Sequence, residues 1–229
     1  FKVIQSSKTP FDVDGDLYLL AWTTTPWTLP SNTALTVGEK IEYVCVTTFN
    51  QYTFKKTNVV LAKNLVGYQF SKGFFEVENI TELEAYEEGN KKIPYFIGDT
   101  CTGKDLIALR YEQLLDYCLP AENPENAFKV ISGDFVTTED GTGIVHTAPT
   151  FGADDAKVAK EAGVPPMLVR DDQDNLVPLV DLQGKFRQEV SDFAGMYVKN
   201  EYYSAGEVPD KSVDVLIAVK LKEDNKAFK

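Results

Sequence analysis

Short apolar runs separated by turn-forming residues make up most of the chain. Runs of this length that are rich in β-branched and aromatic side chains are typical of β-strands. Residues 41–48 and 51–56 follow one another closely enough to predict a hairpin. We predict strands at residues 1–7, 16–22, 32–37, 41–48, 51–56, 59–62, 73–80, 92–97, 128–131, 135–138, 144–148, 167–169 and 176–180. Many short strands with few helices favour a mostly β, α+β fold built on a closed or nearly closed β-barrel.

Two segments have the pattern of helices instead. Residues 152–163 place Asp154 and Asp155 in a first turn, where the helix dipole favours carboxylates, and a glycine and two prolines follow. Residues 207–222 carry apolar side chains on one helical face. Residues 102–118 fit both a helical period and a mixture of turns and extended chain, and we favour the mixture.

Composition narrows the class of protein. The 229 residues are 43% hydrophobic and 25% charged, as in ordinary soluble globular proteins. There is neither a secretory signal nor an apolar run of the roughly 18 residues that a membrane span needs, so we expect a cytoplasmic protein that does not contact membranes. The chain starts with Phe1 and has no methionine before Met167, so we expect residues 1–229 to be one domain excised from a longer chain.

The cysteines and the one histidine argue against a metal. Cys45, Cys101 and Cys118 are far apart in the sequence, and His146 is the only histidine. A structural zinc site needs four ligands, usually cysteine or histidine, at close spacing. We therefore expect free thiols in a reducing compartment, no metal and no cofactor.

Residues 21–35 (AWTTTPWTLPSNTAL) are the first stretch with candidate chemistry. Pro26 has no N–H, so the strand that includes Trp22 must end near Thr25. Three hydroxyls, on Thr23, Thr24 and Thr25, then lie at the end of a strand, and each can donate and accept a hydrogen bond. Such an end suits a small polar substrate, although three threonines are also ordinary β-branched strand residues.

The second stretch is residues 141–155 (GTGIVHTAPTFGADD). Together the two stretches resemble the editing domain of isoleucyl-tRNA synthetase, the connective-peptide insertion of this class I aminoacyl-tRNA synthetase. Thr25-Pro26-Trp27 resembles the isoleucyl version, because the valyl and leucyl enzymes carry arginine, proline and an acidic residue there. The resemblance covers most of the chain and implies the same barrel architecture.

The resemblance implies roles for two residues of the second stretch. Asp155 would bind the α-ammonium of a mischarged amino acid, although an aspartate in a first helical turn is also a common helix-stabilising residue. His146 would line the amino-acid pocket as a size gate. A lone histidine on an apolar strand is more often a core residue, and no serine or cysteine nucleophile pattern accompanies it, so we do not assign it as a base.

The resemblance also implies roles in the first stretch. Thr23, Thr24 and Thr25 would bind substrate and position the attacking water, and with Asp155 they form the predicted catalytic set. Which threonine does which task stays open. Trp27 is equally compatible with a core position and a pocket wall. Asn32 matches a polar position of the family but is also a common turn residue. We interpret Gly141 and Gly143 as structural.

The predicted reaction is hydrolysis of valine from isoleucine tRNA, with valyl-adenylate as a second candidate substrate. A pocket rejects a substrate that is one methylene smaller by only about 1–3 kcal/mol, a limit for which isoleucyl-tRNA synthetase is the well-known example. A second site can instead exclude the larger isoleucine by a steric clash. The signatures HIGH and KMSKS are absent, so the chain should not carry out ATP-driven aminoacylation.

The expected partners are the acceptor end of isoleucine tRNA and the catalytic and anticodon-binding domains of the same synthetase. A net charge of −12 opposes binding to phosphates, so we expect the other domains to hold most of the tRNA. Three alternatives stay open. The first is a module that binds the aminoacylated acceptor end without hydrolysis, and the second is an acid–base hydrolase, such as a glycosidase, with paired carboxylates. The third is an editing domain for another amino acid, although Thr25-Pro26-Trp27 favours the isoleucyl assignment.

Overall fold

The computed structural model describes residues 1–4 and 8–228. The described residues contain ten strands, four α-helices and six short 3-10 helices. The strands are β1 (Leu17–Leu19), β2 (Ala34–Val37), β3 (Glu42–Phe49), β4 (Lys56–Ala62), β5 (Phe74–Glu76), β6 (Ile93–Thr102), β7 (Lys129–Ser132), β8 (Ile144–Thr147), β9 (Leu168–Arg170) and β10 (Leu176–Pro178). The α-helices are α1 (Val66–Gln69), α2 (Gly103–Leu106), α3 (Ala153–Glu161) and α4 (Val213–Glu223). The 3-10 helices are Pro26–Ser31, Lys63–Leu65, Ile80–Ala85, Pro124–Asn126, Ser191–Phe193 and Asn200–Tyr202.

The strands pair into three sheets. The largest has the order β1-β4-β3-β6-β5, with β3 antiparallel to β4 and β6, and with β1 and β5 parallel to their neighbours. The second sheet has the order β7-β2-β8, in which β2 is parallel to β7 and antiparallel to β8. Strands β9 and β10 form a separate antiparallel pair.

Single β-bridges, rather than continuous ladders, join the two larger sheets. On one side, Trp22, just after β1, forms a parallel bridge with Val145 of β8. On the other side, Lys2 bridges Tyr18 of β1, Val3 bridges Tyr111, and Arg110 bridges Lys129 of β7. The mixed, mostly β fold is confirmed, but the predicted closed barrel is not, because among the described residues the ladders form separate sheets.

Two strand predictions are wrong. Residues 51–55 form a turn because the Asn50 side chain accepts the N–H groups of Tyr52 and Thr53, so the second hairpin strand is β4. Residues 135–138 are also irregular, because the chain turns at Gly133 and Val136 donates back to its carbonyl. The predicted strand at residues 16–22 is shorter in the structure, where β1 ends at Leu19.

The helix predictions are confirmed with shorter bounds. Helix α4 begins only at Val213, because the Ser212 side chain accepts the Val215 N–H and caps the helix. Within residues 102–118, the short helix α2 is followed by irregular chain, as the predicted mixture requires.

Of the strand predicted at residues 1–7, residues 5–7 lie outside the described residues, and Lys2 and Val3 form isolated bridges only.

One large apolar core lies beneath the two larger sheets and α4. Tyr43, Tyr111 and Phe186 are among its largest fully buried side chains. Among residues 1–4 and 8–228, no helix combines the length and the apolar character needed to cross a membrane. The core fixes the sheet edge at which β1, β8 and the start of α3 meet, and the candidate site lies there.

Candidate functional site

A cavity of about 380 Å³ lies where the chain leaves β1, passes along β8 and enters α3. Both stretches identified from the sequence contribute to its wall. The lining residues are Trp22, Thr23, Thr24, Thr25, Thr28, Phe135, Thr137, Asp140, Gly141, Thr142, Gly143, Ile144, Val145, His146, Ala148, Phe151, Gly152 and Asp155. The structure therefore brings the three threonines, the histidine and the aspartate of the sequence analysis to one cavity.

The three threonines form a bent segment, the threonine segment, between β1 and the 3-10 helix Pro26–Ser31. Thr23 Oγ1 accepts the Thr25 N–H at 3.0 Å and lies 3.4 Å from Thr25 Oγ1. Thr24 and Thr25 are exposed, and Thr23 is half-buried. Pro26 begins the 3-10 helix because its fixed φ and missing N–H suit a first helical position. The segment thus presents polar groups to the cavity from a rigid base.

Asp155 lies in the first turn of α3 and lines the same cavity. Its Oδ2 accepts the Ala148 N–H at 2.8 Å, which ties the helix to the end of β8. Burial, together with the nearby Asp154 carboxylate, raises the pKa of Asp155 despite that hydrogen bond. Among the described residues, no lysine or arginine pairs with Asp155. The carboxylate is therefore partly desolvated and available to a cation in the cavity.

His146 lies on β8 with only 9% of its surface exposed. Its Nδ1 is 2.9 Å from Asn32 Nδ2, and its Nε2 is 2.9 Å from Thr28 Oγ1. Burial lowers the pKa of His146 to about 4, so the ring is neutral near pH 7. It is at once a satisfied buried histidine and part of the cavity wall.

Two predicted site residues do not line the cavity. Asn32 is buried behind His146, where it donates to the Ala34 carbonyl and accepts the Tyr111 hydroxyl at 2.7 Å. Trp27 packs edge-to-face against Phe151 with ring centroids 4.8 Å apart. The structure thus gives both side chains a place in the packing around the site, and Trp27 has the core-like position of its two alternatives.

The sequence analysis missed several lining residues. Trp22 is 52% exposed at the edge of the cavity, an unusual position for a tryptophan that the apolar run alone did not reveal. Thr28 also lines the cavity and bonds His146, although it stands only three residues after Thr25. Its place within the motif was the signal that could have identified it.

Gly143 has a structural role at the cavity wall, as interpreted from the sequence. It has φ +74°, and a Cβ there would lie 2.5 Å from the Ala62 side chain. Its carbonyl accepts the buried Tyr43 hydroxyl at 2.6 Å. The glycine therefore allows β4 and the start of β8 to approach closely.

Other chemistry receives little support from the described residues. No group of three or more histidine, cysteine or acidic side chains in them could hold a metal ion. The three cysteines are free, and burial raises the pKa of Cys45 and Cys101 to about 12 and that of Cys118 to about 11. Such thiols are not activated nucleophiles near pH 7.

Comparison with curated proteins gives close relatives among the isoleucine–tRNA ligases. Isoleucine–tRNA ligase of Cytophaga hutchinsonii is 57% identical over 222 residues, which are 93% of this chain and 19% of the relative. The Bacteroides fragilis ligase is 48% identical over 231 residues, with 94% and 20% covered. The Porphyromonas gingivalis ligase is 46% identical over 243 residues, with 99% and 21% covered. The chain thus spans about a fifth of the length of these relatives.

Solved structures give the fold. The crystal structure of GlLeuRS-CP1 matches with a TM-score of 0.51 at 16% identity, covering 95% of this chain and 86% of that one. The editing domain of the P. knowlesi cytosolic leucyl-tRNA synthetase also matches at 0.51, with 12% identity and 93% and 83% covered. No protein-family model matches the chain. The identity to the ligases shows that the chain belongs to the isoleucine–tRNA ligase family, within which it has the fold of the leucyl-tRNA synthetase editing domain that it matches.

Proposed function

We propose that the cavity is a proofreading site that hydrolyses the ester between valine and isoleucine tRNA, with valyl-adenylate as a second substrate. The observation that carries the proposal is the position of Asp155. Its partly desolvated carboxylate lacks a basic partner among the described residues and shares a cavity with Thr23, Thr24 and Thr25. An aminoacyl ester offers the two groups that such a cavity would bind. Asp155 would bind its ammonium, and the threonines would bind its ester carbonyl.

The reaction needs binding, a water and stabilisation of a developing oxyanion. Asp155 would pair with the α-ammonium, and a charge-assisted contact of this kind selects aminoacyl esters over other esters. The hydroxyl and backbone groups of residues 23–25 would orient the ester and a water for attack on the carbonyl. Donors placed where the oxyanion forms stabilise the tetrahedral intermediate. A ribose hydroxyl of the substrate is our candidate for assisting the proton transfer.

His146 takes no proton in this proposal. Both of its ring nitrogens have hydrogen-bond partners, and burial lowers its pKa to about 4. Its role is to form part of the pocket wall. The pocket would admit valine and exclude isoleucine by a steric clash. Because close-packed side chains deform little, a steric clash can discriminate the two substrates more strongly than the loss of one methylene contact.

The rest of the synthetase would deliver the substrate. The net charge of −12 is unfavourable for broad contact with tRNA, so the catalytic and anticodon-binding domains would hold most of it in the cytoplasm. This domain would then contact only the single-stranded acceptor end. No basic surface on this chain has to account for the affinity.

The proposal is tested by deacylation of isoleucine tRNA charged with valine or with isoleucine. The assay uses both this chain and the full-length synthetase, each with and without Asp155→Ala. We expect rapid loss of valine only, and that loss should depend on Asp155. Tight binding of the valyl-charged tRNA by the full-length enzyme without hydrolysis would instead favour the binding-module alternative.

A further inference from the structure

A buried chain of hydrogen bonds runs through His146 and connects the core to the threonine segment. The Tyr111 hydroxyl donates to Asn32 Oδ1 at 2.7 Å, and Asn32 Nδ2 lies 2.9 Å from His146 Nδ1. On the other side of the ring, Nε2 lies 2.9 Å from Thr28 Oγ1, which contacts the Thr25 carbonyl at 2.9 Å. Tyr111 is 1% exposed and Asn32 2%, so water does not replace these partners.

The donor-to-acceptor direction of this series of hydrogen bonds is fixed at its Asn32 end. The Ala34 carbonyl can only accept, and it lies 2.8 Å from Asn32 Nδ2. The atom facing it must therefore be the NH2 group. Its second hydrogen has two acceptors in range, His146 Nδ1 at 2.9 Å and the Thr147 carbonyl at 3.5 Å, and the shorter contact directs it to Nδ1. Nδ1 must then accept, so this nitrogen carries no proton.

The Thr25 end fixes the same direction independently. The Thr25 carbonyl also only accepts, so the single hydroxyl proton of Thr28 is used on it. Thr28 Oγ1 is then an acceptor toward His146, and Nε2 must carry the ring proton. Two carbonyls at opposite ends thus select one tautomer, with hydrogen on Nε2 and none on Nδ1. A doubly protonated ring would set an Nδ1–H against the Asn32 NH2 group.

We propose that Tyr111, Asn32 and Thr28 are positioning residues that lock His146 as a neutral Nε2–H ring and so fix the wall of the cavity. The selectivity part of this inference rests on the proposed editing function, but the tautomer does not. None of the three residues needs to touch substrate in this role. Their effect is to hold the ring in one orientation relative to the Thr25 carbonyl, which belongs to the threonine segment that lines the same cavity.

The test uses the fact that His146 is the only histidine. Selective nitrogen-15 labelling of histidine and long-range proton–nitrogen spectra near pH 7 report the tautomer of this one ring directly. We expect a protonated Nε2 and an unprotonated Nδ1. Asn32→Asp should add a proton at Nδ1 while Nε2 keeps its own, because a carboxylate can only accept there and stabilises the doubly protonated ring. A protonated Nδ1 in the unsubstituted chain would overturn the proposal, even if no variant folds.

Selectivity is the second readout, measured in the full-length enzyme. Tyr111→Phe keeps the aromatic packing and removes only the hydroxyl, and we expect it to lower the preference for valyl over isoleucyl ester by about tenfold. Thr28→Val should lower the preference in the same way, and Thr28→Ser should restore the preference.

The matched control is Tyr117→Phe, which removes a hydroxyl bonded to Asp192 near the surface. Equal effects of the two tyrosine substitutions, or no rescue by serine, would contradict the positioning role. A protein without any hydrolysis would refute the proposed function and leave the tautomer result standing.

Discussion

The backbone N–H of Trp27 donates to Asp214 Oδ1 at 2.7 Å and joins the two residues across a sequence separation of 187. Trp27 lies in the first turn of the 3-10 helix that follows the threonine segment, and Asp214 lies in the first turn of α4. Pro26 has no N–H, so this bond satisfies the first free donor of the 3-10 helix. Helix α4 therefore holds in place the 3-10 helix that directly follows residues 23–25.

Asp214→Ala should destabilise the fold by about 1–2 kcal/mol, because it leaves the Trp27 N–H without its partner. Asp214→Asn keeps an acceptor oxygen and should recover most of the loss. The measurement is urea unfolding, with Asp210→Ala as a control at an exposed aspartate of the same region. Equal midpoints for Asp214→Ala and Asp210→Ala would show that the bond contributes nothing measurable.

Asp155→Asn separates the charge of Asp155 from its structural hydrogen bond. The amide oxygen can still accept the Ala148 N–H, so stability should change little. Loss of the ammonium contact should lower kcat/KM for valyl-tRNA hydrolysis by about 10- to 100-fold, corresponding to about 1.5–3 kcal/mol.

Asp154→Asn provides the matched control for this experiment. Asp154 is exposed, stands next to Asp155 in the same helical turn and does not line the cavity. It should leave kcat/KM within about twofold. If both substitutions lower activity alike, the general negative charge of the turn matters and the specific contact does not.

The sequence grouped the candidate site residues better than it placed the strands. The pairing of residues 23–25 with Asp155 rested on two motifs, and the structure brings both to one cavity. The hairpin was predicted with its second strand displaced, because one side chain, Asn50, closes the turn through two backbone donors. Periodicity does not reveal such a bond, and strand number does not determine whether sheets close into a barrel.

The polar support of His146 could not be predicted from the sequence at all. Tyr111 and Asn32 are separated by 79 positions, and Asn32 and His146 by 114. Their contacts depend on the register of β2 against β8, which aligns Leu35 with His146. Without that register, Asn32 was only a candidate turn residue or substrate contact, and Tyr111 was not a candidate.

His146 should make the stability of the protein depend on pH. Its pKa is about 4 in the folded chain and about 6.5 when exposed, so below pH 6.5 the unfolded state binds more protons. Stability should therefore fall as the pH decreases from 6.5 to 4, by up to about 3 kcal/mol for this group. Urea unfolding of the unsubstituted chain and of His146→Gln at a series of pH values measures the difference.

Only the difference between the two proteins reports on His146, because partly buried carboxylates such as Asp155 and Asp214 have raised pKa values and oppose the trend. Those carboxylates are present in both proteins and cancel in the comparison. Parallel pH profiles for the two proteins would contradict a neutral buried imidazole.

Gly143→Ala should be among the most damaging single-methyl additions at the site. The new Cβ would lie 2.5 Å from the Ala62 side chain, and Gly143 has φ +74°. The positive φ alone costs alanine about 1 kcal/mol, and a clash inside a packed wall adds about 1–3 kcal/mol.

Gly163→Ala is the matched control, because Gly163 has φ +67° with no atom near the added Cβ. We expect urea unfolding to show a loss of about 1 kcal/mol for Gly163→Ala and about 2–4 kcal/mol for Gly143→Ala. Equal losses would mean that β4 moves away freely, and the cavity wall would then be too compliant to discriminate isoleucine from valine by a clash.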